Sequence, residues 1–249
     1  MRIRLLHFAL VLLLYATGCH RPGEITEISS GYVPLDYNTT DSGVVKIIAP
    51  YKKQHDLQMN DVLGKTAVAM TKTNEKPEHL LGNFVADVVY NAAREANLDP
   101  DICLLNNGGL RTSLPQGDIT RGKIYELMPF DNEIVVVAIS GEKMLDLLTY
   151  IVDAGGVPAS GLKMGIRGRV PVNILIKGEP FDKTKNYTVA TSDYLSGGGD
   201  KMSFFRNPLS VKTTGIKIRD AIINHFKKET ANGKTITATI DGRIYYETK

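Results

Sequence analysis

Asn106-Asn107-Gly108-Gly109-Leu110-Arg111 is the stretch that decides how this chain is read. The run before it, Ile102-Cys103-Leu104-Leu105, has the apolar character of a short buried strand. Gly108 and Gly109 then let the backbone pass close to something bulky, and Arg111 offers a fixed fork of donors suited to phosphate or carboxylate. Two later stretches answer it: Met128-Pro129-Phe130-Asp131-Asn132, and Asp193-Tyr194-Leu195-Ser196-Gly197-Gly198-Gly199-Asp200. Amides, an arginine, two aromatic rings and a carboxylate on loops form a kit for a nucleotide. The rings suit a base, the aspartate a sugar diol, and the arginine a negative charge.

In order and spacing, these motifs resemble the C-terminal, substrate-binding domain of the 5'-nucleotidase family, which includes UDP-sugar hydrolases. The family pattern Asn-x-Gly-Gly-(Ile/Val/Leu)-Arg matches Asn106 to Arg111. Pro-Phe-(Gly/Asp)-Asn matches Pro129 to Asn132, and the aromatic-x-x-x-Gly-Gly-Asp loop matches Tyr194 to Asp200. The likeness runs from about Val62 to Tyr246 and implies an α/β fold, a mixed sheet with flanking helices.

The resemblance also implies roles. Phe130 and Tyr194 would sandwich the base, where stacking is worth roughly 1–3 kcal/mol per base. Asp200 would accept both ribose hydroxyls, Asn106 and Asn132 would contact the base, and Gly108 and Gly109 would give the ligand room. Arg111 would lie on the phosphate and ribose side. Each residue has a plainer alternative: aromatics packed into the core, a turn aspartate, asparagines satisfying loop backbone, an arginine in a surface ion pair. The family often carries a second arginine before the Gly-Asn of its long helix. Here that stretch reads Asn74-Glu75-Lys76-Pro77-Glu78, so Lys76 offers a point charge and not a fork.

The N-terminus reads as an export signal. Arg2 and Arg4 precede an apolar run from Leu5 to Tyr15, and Ala16-Thr17-Gly18 supplies small residues before Cys19. This looks like a bacterial lipobox: a signal over 1–18, acylation of Cys19, and a protein held at the periplasmic or cell-surface side of a membrane by its acyl chains. An ordinary secretory signal with an incidental cysteine is the competing reading. Residues 19–42, polar and dotted with Gly and Pro, read as a flexible tether, and 43–249 as the nucleotide-binding domain.

Cys103 is then the one cysteine left for the folded body, which excludes an internal disulfide and suits a small buried hydrophobe. The chain carries 30 Lys+Arg against 27 Asp+Glu. Loss of the signal removes two arginines and no acid, leaving a nearly neutral body. Its lysines are scattered, so polymeric nucleic acid is not an expected partner.

Periodicity predicts a helix over 44–60 with Pro50 bending or restarting it, a strand over 61–70, and a long amphipathic helix over 78–97. A helix over 121–128, a strand over 133–139 and a helix over 142–154 follow. Beyond these come strands over 171–177 and 187–192, a helix over 216–227 and a strand over 241–246.

Family members hydrolyse phosphoesters with two metal ions held in a separate N-terminal domain, a geometry that needs several converging His, Asp and Asn ligands. His55, His79 and His225 stand apart on expected helices or their edges, and no Asp-x-His, Gly-Asn-His or His-x-His occurs. No P-loop is present either. The resemblance therefore implies half an enzyme, with no cofactor of its own: it presents a nucleotide or nucleoside to a separately encoded metallophosphatase that carries the two divalent ions. A binding-only lipoprotein for nucleosides, and a structural lipoprotein with a decayed site, are the competing readings.

Overall fold

A computed structural model describes residues 29–32, 40–72 and 77–247. The signal, Cys19 and Lys76 lie outside them. The chain divides into two units between Ile47 and Ile48, and the second unit holds the sheets and both cores. Helix α1 (Ser42–Met59) runs through Pro50 as one element, and none of its side chains is buried.

Five strands form the central sheet: β2 (Ile102–Leu104), β4 (Glu133–Ser140), β5 (Ala159–Ser160), β9 (Asn186–Ser192) and β10 (Ser210–Lys217). Their order across it is β10-β4-β9-β2-β5. β2 and β9 run parallel, while the β10–β4, β4–β9 and β2–β5 pairs are antiparallel. A second sheet is formed by β6 (Leu162–Arg167), β7 (Val170–Ile176), β8 (Glu179–Pro180) and β11 (Ile244–Tyr246), in the order β11-β6-β7-β8. β1 (Val62–Thr66) pairs antiparallel with β3 (Gly117–Thr120).

Successive strand residues point to opposite faces, and β4 shows the consequence. Val135, Val137 and Ile139 join one core with Met144, Leu147, Leu148 and Ile151 of α4 (Gly141–Asp153). Ile134 and Val136 join the other with Val85 and Val89 of α2 (Leu80–Glu95) and Ile222 and Phe226 of α6 (Ile218–Ala231). Both faces of the strand are covered, so its near-continuous apolar sequence is what a central strand requires. Burying each such side chain contributes about 1.5–3 kcal/mol. Cys103 is fully buried in the second of these cores, and burial pushes its thiol pKa well up, which leaves it unreactive.

Strand ends start helices here. Thr120, Ser140 and Ser192, the last residues of β3, β4 and β9, accept the backbone N–H of Lys123, Lys143 and Leu195. They thereby cap α3 (Arg121–Leu127), α4 and α5 (Asp193–Ser196).

Several expectations shift. The strand expected over 61–70 is β1 plus an isolated bridge between Met70 and Leu114. The helix expected from Ile216 begins at Ile218, because Ile216 and Lys217 complete β10. The strand expected over 241–246 shortens to Ile244–Tyr246. β3, β5, β6, β8 and β10 are additional to the strands that periodicity predicts.

Candidate functional site

Strand direction gathers the loops. β2 and β9 run the same way, so the segments after their C-terminal ends, 105–111 and 193–201, leave the sheet together. β4 runs opposite to β9, so the segment that leads into it, 128–132, reaches that same end. All eight residues singled out from the sequence line one cleft there, of about 340 Å³: Asn106, Gly108, Gly109, Arg111, Phe130, Asn132, Tyr194 and Asp200. Lining of this kind, a few polar groups among rings in a concave pocket, is the usual character of a small-molecule site.

Asp200 is its centre. One carboxylate oxygen accepts from Asn106 Nδ2 and the other from Tyr194 Oη at 2.9 Å. Tyr150 Oη donates to the Asp200 carbonyl at 3.2 Å. Burial, then the nearby Asp200 and Tyr194, raise the Tyr150 pKa, so that hydroxyl remains a donor. These bonds hold Asp200 in the left-handed region, at φ 49° and ψ 34°. An ionised carboxylate has about four acceptor positions, so Asp200 keeps capacity for a diol after both contacts.

The rings face out of the cores: Phe130 is 40% and Tyr194 50% exposed. A Cβ on Gly199 would stand 2.5 Å from the Tyr194 ring, so the ring lies against bare backbone there. Gly109 is equally constrained, since a Cβ would come within 2.8 Å of Asn106 Oδ1. Arg111 donates to the Gly108 carbonyl at 3.3 Å, and its guanidinium carbon lies 5.9 Å from the centre of the Phe130 ring. Among the described residues it forms no salt bridge. Asn132 lines the cleft, and its carbonyl accepts the Ile218 N–H at 3.0 Å.

Other residues hold this constellation without having stood out in the sequence. Arg219, almost fully buried on α6, donates to the Phe130 carbonyl at 3.3 Å and to the Asp131 carboxylate, and lies 4.2 Å over the Tyr125 ring. Lys217 also bonds Asp131, at 2.9 Å. The bonds from Lys217 and then Arg219 lower the Asp131 pKa, so it remains charged and fixes the loop. Behind the 106–111 segment, Lys72 Nζ donates to the carbonyls of Asn107 and Leu110, both at 3.3 Å. The available signal was positional: Asp131 follows Phe130 directly, and Asn107 is the unspecified position of its motif.

His79 is at a helix end, as its place in the sequence suggests, but it is buried and bonded on both sides. The other two histidines lie on different helices. His55 is exposed on α1, and His225 meets Phe84 edge-on on α6. Among the described residues no group of three or more His, Cys, Asp or Glu comes together as a metal site.

Known proteins share this fold. Residues 62–207 match the family model described as 5'-nucleotidase, C-terminal domain. The chain belongs to that family. Among its relatives, a cell wall protein of Listeria monocytogenes, Lmo0130, is 29% identical over 215 residues, covering 78% of this chain and 27% of its own length. The trifunctional nucleotide phosphoesterase YfkN of Bacillus subtilis is 26% identical over 232 residues, covering 85% of this chain and 16% of its own. The crystal structure of a 5'-nucleotidase precursor from Thermus thermophilus superposes with a TM-score of 0.70 at 26% identity, over 82% of this chain and 43% of that one. The chain thus spans less than half the length of each of these family members.

Proposed function

We propose that this chain is a nucleotide- or nucleoside-binding domain that presents a phosphate ester to a two-metal phosphatase carried on another chain, in nucleotide catabolism. The observation that carries the reading is the single cleft in which two outward-facing rings, a pre-oriented carboxylate and an arginine converge. Phe130 and Tyr194 hold the base between them. Asp200, steadied by Asn106 and Tyr194, accepts the ribose hydroxyls. Asn106 and Asn132 offer amides to the base edge, and Arg111 lies on the phosphate side. Gly108 and Gly109 keep the ligand's path clear.

The hydrolytic step belongs to the partner, whose two divalent ions would clamp the attacking and leaving oxygens. This chain contributes orientation: a substrate fixed at base and sugar presents its ester in one place. The same proposal puts the protein outside the cytoplasm, tethered to a membrane through acylated Cys19.

Calorimetric titration with adenosine, AMP, UMP and a UDP-sugar tests the binding. Removal of the rings in Phe130→Ala and Tyr194→Ala should weaken binding roughly fivefold to a hundredfold each. Unchanged affinity in the double variant would sink the clamp. Mixed with the right metallophosphatase, the protein should create nucleotidase activity that Arg111→Ala and Asp200→Ala abolish. Tight binding with no activity gained from any such partner would favour a nucleoside-scavenging or sensing role. Cys19→Ala should release the protein from membranes.

A further inference from the structure

His79 occupies a place that neither the motifs nor the cleft lining accounts for. It is 5% exposed and caps α2: the Gly82 N–H donates to its Nδ1 at 2.9 Å. Nδ1 therefore carries the lone pair, the neutral ring's proton is on Nε2, and Nε2–H donates to Asn107 Oδ1 at 2.9 Å. The Asn107 amide passes the connection on, its Nδ2 donating to the Gly156 carbonyl at 3.2 Å. A Cβ on Gly82 would stand 2.8 Å from His79 Cε1, so the glycine of the Gly82-Asn83 pair is what lets the ring lie flat over the first turn. Asn107 sits between Asn106, which bonds Asp200, and Gly108, which lines the cleft.

We propose that His79 is a positioning residue for the nucleotide-facing loop, joining the N-terminus of α2 to the 106–111 segment through Asn107, and that its neutral form sets the geometry of the Asn106–Asp200 pair. The connection has a built-in direction with pH. Protonation puts a hydrogen on Nδ1, where it meets the Gly82 N–H donor to donor. The ring has to turn, and the Nε2 bond to Asn107 turns with it.

Few charges oppose or assist that change among the described residues. Burial is what most disfavours protonation of the ring; the Asn107 bond and the Thr71 carbonyl work the other way, and Lys72, facing the ring from the segment before α2, again disfavours it. Glu78 spends its carboxylate on Asn83 Nδ2 and the Gly242 N–H. From the loop, Arg111 is turned to the Gly108 carbonyl, and the 155–158 turn carries no titratable side chain.

The test separates the cap from the connection. Asn is among the best N-cap residues but too short to reach Asn107, so His79→Asn should keep the fold's melting temperature and lose the link. In wild-type protein, NMR titration from pH 8 to 4.5 should show the amides of Gly108, Gly109 and Leu110 shifting with the same midpoint as the His79 ring. In His79→Asn and in Asn107→Ala those amides should stay flat. Loop amides that ignore pH in the wild type, or that titrate unchanged in His79→Asn, overturn the proposal.

A second arm rests on the proposed nucleoside binding. Adenosine should bind about fivefold more weakly to His79→Asn at pH 7.5, the worth of about one hydrogen bond, and the wild type should weaken as pH falls towards 5. Wild-type protein that shows the coupled titration but binds no nucleoside would refute the ligand and leave the connection standing.

Discussion

Gly199 carries no side chain because Tyr194 occupies the space where one would go, and the consequence is measurable. The clash is with the outer end of a flexible ring and not with backbone, so Gly199→Ala should displace the ring and spare the fold. Adenosine affinity is expected to fall roughly fivefold or more, part of one ring's stacking, with little change in melting temperature. Gly197→Ala is the control, since its nearest neighbour is a carbonyl oxygen at 3.5 Å, an ordinary contact. Calorimetry and thermal melts on the pair decide it, and equal losses would mean that the ring's place does not depend on Gly199. The glycine run was legible in the sequence as a loop. Which glycine does what was not. Gly198 is needed for its φ of 92° and Gly199 for clearance, and both depend on where Tyr194 points.

At the scale of elements, legibility followed burial. β4 and α4 declared themselves because a strand covered on both faces is apolar throughout and a half-buried helix has a stripe. β10 did not: it is an edge strand whose residues are mostly exposed, so its sequence, Ser-Val-Lys-Thr-Thr-Gly-Ile-Lys, has no face to reveal. β6 contains Gly165, where a Cβ would stand 3.0 Å from Val172 and 3.1 Å from Tyr245, and a glycine inside a strand obscures the pattern. The junction of β10 and α6 also carries Arg219, whose importance lies wholly in what it reaches. Replacing it by Met preserves bulk over the Tyr125 ring and removes the donors to the Phe130 carbonyl and Asp131. Melting temperature should drop modestly, and base binding should weaken by about threefold to tenfold as the Phe130 loop loosens, a part of one ring's stacking. Arg219→Lys should restore little, since one point charge does not replace a fork. Full affinity in Arg219→Met would show that the loop holds Phe130 unaided.

For the whole molecule, two histidines contribute to the acid side of the stability curve. Burial is the first cause lowering the folded pKa of both His79 and His225. The unfolded chain therefore binds more protons below about 6.5, the ordinary histidine value. Stability is complete above that pH and declines as pH falls towards the folded values. Denaturant melts at pH 7.5, 6 and 5 should show this decline, and His79→Asn should make it shallower. Equal stability at all three values would contradict the burial of both rings. The second whole-molecule consequence comes from the sheet. The cleft is assembled from three segments that meet at one end of β2, β9 and β4 and are far apart in the sequence, so unfolding any of the three destroys it. A ligand that binds the folded cleft and not the open chain must then stabilise the entire unit, by about 2.7 kcal/mol at a hundred times its Kd. Adenosine at that excess should raise the melting temperature of the wild type. Phe130→Ala, which removes a ring already 40% exposed, should melt like the wild type without ligand. At the same adenosine concentration it should gain much less. A shift that survives in the variant would place the nucleoside elsewhere on the protein, and no shift in either would mean that these loops do not bind it on their own.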